Sequence, residues 1–169
     1  EEDIIPIMKN LVLDYNNVTS LAIAGNSGSG KSYTLTYLLS HLKQISDLII
    51  IDPKFDTPSR WARENGIAVI HPKRNRSKSD FVSEINENLS DCLNLIQQRQ
   101  EILYDNPNQH FDHLTIVIDE VLALSEGVNK TIKDSFFSLM SQIALLGRAT
   151  KVHLLLVSQR FDHNTIPVS

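Results

Sequence analysis

Three shortages in the sequence limit what this chain can be. Its 169 residues include one cysteine, so no disulfide can form within the chain, and a reducing compartment fits. Its longest apolar runs, such as Leu48–Ile51 and Leu154–Val157, are far too short to span a bilayer. The formal net charge is −4, so any contact with nucleic acid would depend on local basic patches. We expect a cytoplasmic protein that meets a membrane only through segments outside this chain.

Short apolar runs alternate with amphipathic stretches along the chain. Continuous apolar runs are typical of strands covered on both faces. Five runs are predicted as strands: Ser20–Ala24, Asp47–Asp52, Ile67–Ile70, Leu114–Asp119 and Val152–Ser158. Apolar stripes at helical spacing lie at residues 35–45, 81–103 and 132–143. Ser79 or Asp80 is expected to cap the second helix, and Cys92 lies on its apolar stripe. The alternation predicts one α/β domain over residues 1–169, with a mostly parallel sheet and helices on both faces.

A glycine- and serine-rich loop with a lysine at its end follows the first predicted strand. Residues 25–32, GNSGSGKS, match the Walker A pattern G-x-x-x-x-G-K-[ST] at every fixed position. Glycines let backbone N–H groups converge on phosphate oxygens, and the following helix N-terminus adds its positive end. We expect Lys31 to reach the β- and γ-phosphates of a nucleoside triphosphate and the Ser32 hydroxyl to bind Mg²⁺. The predicted nucleotide-binding residues are Gly25, Asn26, Ser27, Gly28, Ser29, Gly30, Lys31, Ser32 and Tyr33.

Two adjacent carboxylates lie at the carboxyl end of the predicted strand LTIVID: Asp119 is its last residue, and Glu120 follows it. Ligands of open α/β sheets bind at the carboxyl ends of the strands. We expect Asp119 to hold Mg²⁺ and Glu120 to polarise the water that attacks the γ-phosphate; the alternative is a polar strand end with an N-capping aspartate. If strand 152–158 lies between the other two, Gln159 emerges beside the γ-phosphate, where its amide could contact the attacking water. A surface loop residue is the alternative for Gln159.

Four blocks of sequence together carry a family resemblance: IAGNSGSGKS, LIIIDPKFDTPSRW, LTIVIDEVLAL and LLGRATKVHLLLVSQRFD. In order and spacing they resemble the FtsK/SpoIIIE DNA-translocase motor, within the FtsK–HerA group of hexameric ring ATPases. Conjugative transfer proteins of Gram-positive mobile elements include versions of this motor, and the short connection before the Asp119 strand is similar to theirs. The resemblance implies a RecA-like P-loop NTPase core, ATP hydrolysis, and a homo-hexameric ring that pumps double-stranded DNA.

The resemblance gives the lysine, the serine and the two carboxylates the roles already described, and it makes Gln159 a sensor of the bound nucleotide. Arg148 matches the arginine that this group inserts into a neighbouring subunit's active site. Arg148 precedes its strand and so lies away from its own nucleotide; the alternative is a charge facing the dipole of a helix C-terminus. Asp52 and Lys54 match the family's Asp-Pro-Lys and receive no firm role from the sequence.

The chain departs from the family pattern at its end. The family continues with a further strand beyond residue 169, so the chain resembles a C-terminally truncated piece of a larger protein at the cytoplasmic face of the membrane. Candidate DNA contacts, or simply solvated surface residues, are Lys73, Arg74, Arg76, Lys78, Lys130 and Lys133. Two further functions remain open: a secretion-system ring ATPase that moves polypeptide, and a nucleotide-binding module without catalysis.

Overall fold

A computed structural model describes residues 4–8, 11–15, 20–24 and 29–158, and it contains seven strands and five helices in these ranges. The strands are β1 (Ile4–Met8), β2 (Leu11–Asp14), β3 (Ser20–Ala24), β4 (Ser46–Ile51), β5 (Ala68–Ile70), β6 (His113–Asp119) and β7 (Val152–Ser158). The helices are α1 (Ser29–Ile45), α2 (Thr57–Glu64), α3 (Lys78–Asp105), α4 (Val121–Ser125) and α5 (Lys130–Thr150).

One parallel sheet forms the centre of the fold. Its strand order is β3–β7–β6–β4–β5, and each neighbouring pair is parallel. Every residue of β7 is buried, which explains why its central segment, Leu154–Val157, is a continuous apolar run rather than an alternating one. The predicted mostly parallel α/β sheet is therefore confirmed. A separate antiparallel hairpin of β1 and β2 was not predicted from the sequence.

Two hydrophobic cores lie on opposite faces of this sheet. Alternate residues of a strand point to opposite faces, so Ile116 and Ile118 of β6 join the core under α3 and α5. Val117, between them, joins the core under α1 and α2. Cys92 is buried in the first core, as its place on the apolar stripe predicts. Within the described ranges, no helix combines the length and apolar character needed to cross a membrane.

The start of α3 and the limits of β4 differ from the sequence-based positions. The Ser77 hydroxyl accepts a hydrogen bond from the Asp80 N–H at 3.0 Å, and the Asp80 carboxylate accepts one from the Ser77 N–H at 3.3 Å. Ser77 is therefore the N-cap, and the prediction of Ser79 or Asp80 is wrong because the acidic residue belongs three positions inside a capping box. The strand β4 begins and ends one residue earlier than predicted, so Asp52 lies in the following loop.

Candidate functional site

The carboxyl ends of β3, β7 and β6 bring the phosphate-loop segment and the carboxylate pair to one edge of the sheet. Ala24, the last residue of β3, pairs with Ser158, the last of β7, while Asp119 pairs with Val157. Neighbouring strands lie about 4.8 Å apart, so the ends of β3 and β6 are separated by about 10 Å across β7. The strand that leads to Gln159 thus runs between them, and Gln159 itself lies outside the described residues.

The helix α1 begins at Ser29, inside the predicted phosphate loop. Lys31 and Ser32 therefore lie in its first turn, where backbone N–H groups have no intrahelical acceptors and the helix dipole is positive. This backbone arrangement is the strand–loop–helix context that phosphate binding requires. Tyr33, next along the helix, is exposed. Four loop residues lie outside the described part of the chain: Gly25, Asn26, Ser27 and Gly28.

Asp119 and Glu120 are both buried at the end of β6, with 6% and 9% of their surfaces exposed. The Asp119 Oδ1 accepts a hydrogen bond from the Glu120 N–H at 3.0 Å. Glu120 adopts a left-handed backbone conformation (φ 52°, ψ 49°), which costs a non-glycine residue roughly 1 kcal/mol or more and is common at functional sites. It precedes α4, and its side chain makes no capping hydrogen bond to that helix. The N-cap residue of α4 is thus Glu120 and not the aspartate of the alternative interpretation.

Asp52 shapes the loop between β4 and α2. Its carboxylate is fully buried and accepts three hydrogen bonds: from the Lys54 N–H at 3.0 Å, the Asp56 N–H at 2.8 Å and the Ser59 hydroxyl at 2.7 Å. A buried carboxylate is tolerated when hydrogen bonds replace its lost hydration. These bonds tie the start of α2 to the end of β4 and fix the chain between them.

This loop places Lys54 beside Glu120, with 3.9 Å between Lys54 Nζ and Glu120 Oε1. The contact forms because β4 and β6 are neighbours in the sheet and their carboxyl ends adjoin. The sequence assigned Lys54 no role. The signal that could have found it is the Asp-Pro-Lys segment directly after a buried strand, the position at which such sheets bind ligands.

Three of the candidate DNA contacts have partners within the chain. The Lys78 ammonium donates to two backbone carbonyls at the C-terminal end of α4, where a cation complements the helix dipole. Lys73 forms an ion pair with Glu84 at 3.8 Å, and Lys130 forms one with Asp134 at 2.8 Å. The other basic candidates are exposed: Arg74, Arg76 and Lys133.

Arg148 lies in the last turn of α5 and is exposed. The helix ends at Thr150, immediately before the amino end of β7, whereas the phosphate-loop segment follows the carboxyl end of β3. The seven residues of β7 span roughly 20 Å between these two ends of the sheet. Arg148 is therefore far from the phosphate loop of its own chain.

The sequence profile of the AAA domain family matches residues 16–163 of this chain. The chain is 23% identical over 169 residues to the FtsK domain-containing protein YdcQ of Bacillus subtilis (strain 168), covering 96% of this chain and 34% of the relative. It is 27% identical over 154 residues to protein Tra of Streptomyces lividans, covering 83% and 24%. DNA translocase FtsK of Oceanobacillus iheyensis is 23% identical over 172 residues, covering 89% and 21%. The chain thus spans between 21% and 34% of the length of these relatives.

Solved structures share the fold. The conjugation coupling protein TcpA of pCW3, in its monomer form with ATPγS, superposes with a TM-score of 0.73 at 22% identity, covering 92% of this chain and 46% of that one. The cytoplasmic domain of the type VII secretion ATPase EccC of Thermomonospora curvata has a TM-score of 0.64 at 24% identity, covering 92% and 20%. These similarities confirm the predicted P-loop ATPase fold, and the relatives confirm the resemblance to FtsK motors.

Proposed function

We propose a function for this chain from one established premise: the chain belongs to the AAA domain family. It is an ATPase domain related to FtsK translocases and to conjugation coupling proteins. Our proposal is that it hydrolyses ATP, with Mg²⁺ as cofactor, to move double-stranded DNA through a homo-hexameric ring. The names of a related DNA translocase and of a conjugation coupling protein with the same fold support DNA as the cargo. In the intact protein, segments outside this chain would attach the ring to the cytoplasmic face of the membrane.

One observation carries the proposal: the N-terminus of α1 and the Asp119–Glu120 pair lie at the same edge of the sheet. They are close because a single strand, β7, separates β3 from β6. Lys31 would bind the β- and γ-phosphates. Ser32 and Asp119 would hold Mg²⁺, and their hydroxyl and carboxylate oxygens fit its preference for a few hard protein ligands beside the phosphates. Bound Mg²⁺ neutralises charge on the phosphate oxygens during transfer. Glu120 would orient the attacking water and accept its proton.

Gln159 and Arg148 complete the proposed machinery from the two ends of β7. Gln159 directly follows the buried carboxyl end of β7, so its amide would sense the γ-phosphate. Arg148, at the opposite end of the sheet, would reach the nucleotide of the next subunit and stabilise the charge of the transition state there. A ring is then required for full activity.

A second candidate function is transport of polypeptide by the same ATPase fold. The type VII secretion ATPase EccC shares the fold over 92% of this chain, which is the observation that favours this alternative. The two functions differ in what stimulates hydrolysis. Binding to duplex DNA releases counterions and weakens steeply with salt, whereas recognition of an apolar or mixed peptide signal depends on salt far less.

ATP hydrolysis by the purified protein, with and without duplex DNA over a series of salt concentrations, tests the proposal. We expect DNA to stimulate wild-type turnover, and Glu120→Gln to lower kcat about 100-fold or more while ATP still binds. Glu101→Gln, the same change at an exposed position on α3, is the matched control. Lys31→Ala should lose ATP binding. Mixing Arg148→Ala subunits into wild-type rings should lower the ATPase rate of the mixed rings by more than the fraction of variant subunits.

Three outcomes would count against the proposal. A rate of ATP hydrolysis that does not change with DNA, at any salt concentration, would favour polypeptide as cargo. A wild-type protein that binds ATP without hydrolysing it would be a nucleotide-binding module without catalysis. A Glu120→Gln variant at the wild-type rate would remove Glu120 from the mechanism.

A further inference from the structure

The backbone at Lys54 is held in place by its own hydrogen bonds. The Lys54 N–H donates to the fully buried Asp52 carboxylate, and Phe55 next to it takes a left-handed conformation with φ 51°. The Phe55 N–H donates to the Asp52 carbonyl at 3.4 Å, which closes a tight turn around Lys54. A side chain that starts from so constrained a backbone reaches a defined part of the site.

The Lys54–Glu120 contact differs from an ordinary surface ion pair. The Glu120 side chain is 12% exposed, whereas that of Lys54 is 54% exposed. Surface pairs contribute little because both partners are well hydrated and both side chains are mobile. Here the carboxylate has lost most of its hydration, and the backbones of both residues are in fixed turns. A cation at 3.9 Å therefore has a larger effect on the orientation of this carboxylate.

The strand order shows from which side Lys54 approaches Glu120. In the order β3–β7–β6–β4–β5, the strand before Lys54 flanks β6 on the side opposite to β7 and β3. The end of β4 lies about 15 Å from the end of β3, because three strand spacings separate them. Lys54 thus approaches Glu120 from the side of β6 that faces away from the phosphate-loop strand.

We propose that Lys54 is a positioning residue that holds the Glu120 carboxylate in the orientation from which it polarises the attacking water. This inference rests on the proposed function, which gives Glu120 that task. Asp52 stabilises the position of Lys54, because its hydrogen bonds fix the loop that carries this lysine. Lys54 acts through Glu120 and does not touch the nucleotide, so its loss should slow hydrolysis without weakening ATP binding.

The test compares steady-state ATP hydrolysis and ATP affinity of Lys54→Met and Lys54→Arg with those of the wild-type protein. We expect Lys54→Met to lower kcat about 10-fold with KM and the Kd of ATP unchanged, and Lys54→Arg to recover most of the loss. Lys43→Met is the matched control, because Lys43 also contacts another loop, through the Asn65 side chain at 3.1 Å, and lies outside the site. Lys43→Met should keep the wild-type rate.

A double variant separates positioning from a merely structural role. If Lys54 acts through Glu120, Lys54→Met should have no further effect in a Glu120→Gln background. Three results would overturn the inference: an additive loss of rate in the Glu120→Gln background, a raised Kd for ATP in Lys54→Met, or a Lys54→Met rate within twofold of wild type. Each of them counts only if Glu120→Gln alone still abolishes turnover, since the proposed function then stands. A wild-type protein without ATPase activity would instead overturn the proposed function, and this inference with it.

Discussion

Replacing Asp52 with alanine removes the acceptor that holds the β4–α2 loop together. The carboxylate is fully buried, and it accepts hydrogen bonds from two backbone N–H groups and the Ser59 hydroxyl. Alanine offers none of these bonds and leaves the three donors without their acceptor. The start of α2 then loses its attachment to the sheet, and Lys54 loses its fixed backbone.

The size of the effect follows from the three hydrogen bonds. Hydrogen bonds to charged groups contribute roughly 1.5–3 kcal/mol each, so three give an upper bound of about 9 kcal/mol. Removing the carboxylate also removes its own burial cost, and water can replace part of the lost bonding because Lys54 and Asp56 are exposed. We therefore expect a loss of about 3–4 kcal/mol, a large part of the 5–15 kcal/mol that stabilises a typical domain.

Urea denaturation measures this loss, with two signals that report on different regions. Trp61 is the single tryptophan and lies in α2, so its fluorescence follows the helix that Asp52 anchors, while circular dichroism follows the whole fold. Ser59→Ala, which removes one of the three donors, is the control and should cost about 1 kcal/mol. A loss below 1 kcal/mol for Asp52→Ala, with an unchanged m-value, would refute the interpretation of Asp52 as the anchor of the loop.

Two further predictions concern the opposite face of the sheet and the end of α4. Burial, with a smaller contribution from Asp91, raises the pKa of the Cys92 thiol from 9.0 to about 11, so the unfolded chain ionises first as the pH rises. Stability should fall between pH 9 and pH 11 by up to about 3 kcal/mol, and urea titrations should find a smaller alkaline loss in Cys92→Ala. Lys78→Met should lower the free energy of unfolding by about 1 kcal/mol because the α4 carbonyls lose their cation. Its DNA affinity, measured by anisotropy over a salt series, should keep the wild-type slope, and a shallower slope would contradict the structural role of Lys78.

The sheet could be predicted because each central strand is an apolar run that ends in recognisable polar residues. The limits of β7 agree with the sequence-based ones, since Lys151 before it and Gln159 after it interrupt the pattern. The limits of β4 do not agree, because apolar periodicity cannot distinguish an aspartate that ends a strand from one that anchors the next loop. The β1–β2 hairpin was missed because Pro6 and the short segments gave no clear strand pattern.

The candidate site also contains parts that local sequence patterns predict and parts that depend on contacts between distant segments. The phosphate loop and the Asp119–Glu120 pair are contiguous segments, so their position at strand ends follows from the sequence. The contact of Lys54 with Glu120 depends on β4 and β6 being neighbours, which no local pattern encodes. The roles of the individual residues stay predictions until the variants are measured.

A buried pair of histidines shows the same limit at the amino end of the sheet. The His113 Nδ1 lies 2.8 Å from the His153 Nε2, and the Tyr15 ring stacks on His153 with 4.0 Å between centroids. His113 and His153 are 40 residues apart in the sequence, so no local pattern indicates their contact. The structure pairs His113 with a residue on the neighbouring strand β7, because the register aligns the starts of β6 and β7.

Because the sheet divides the interior into two cores, the packing of α1 and that of α5 can be altered separately. Val117 and Ile118 are adjacent in the chain, yet the first packs beneath α1, which begins in the phosphate loop, and the second beneath α5, which carries Arg148. A smaller side chain at Val117 would weaken the packing of α1 against the sheet. The same change at Ile118 would weaken the packing of α5, so that nucleotide binding and the proposed action of Arg148 on a neighbouring subunit could be tested one at a time.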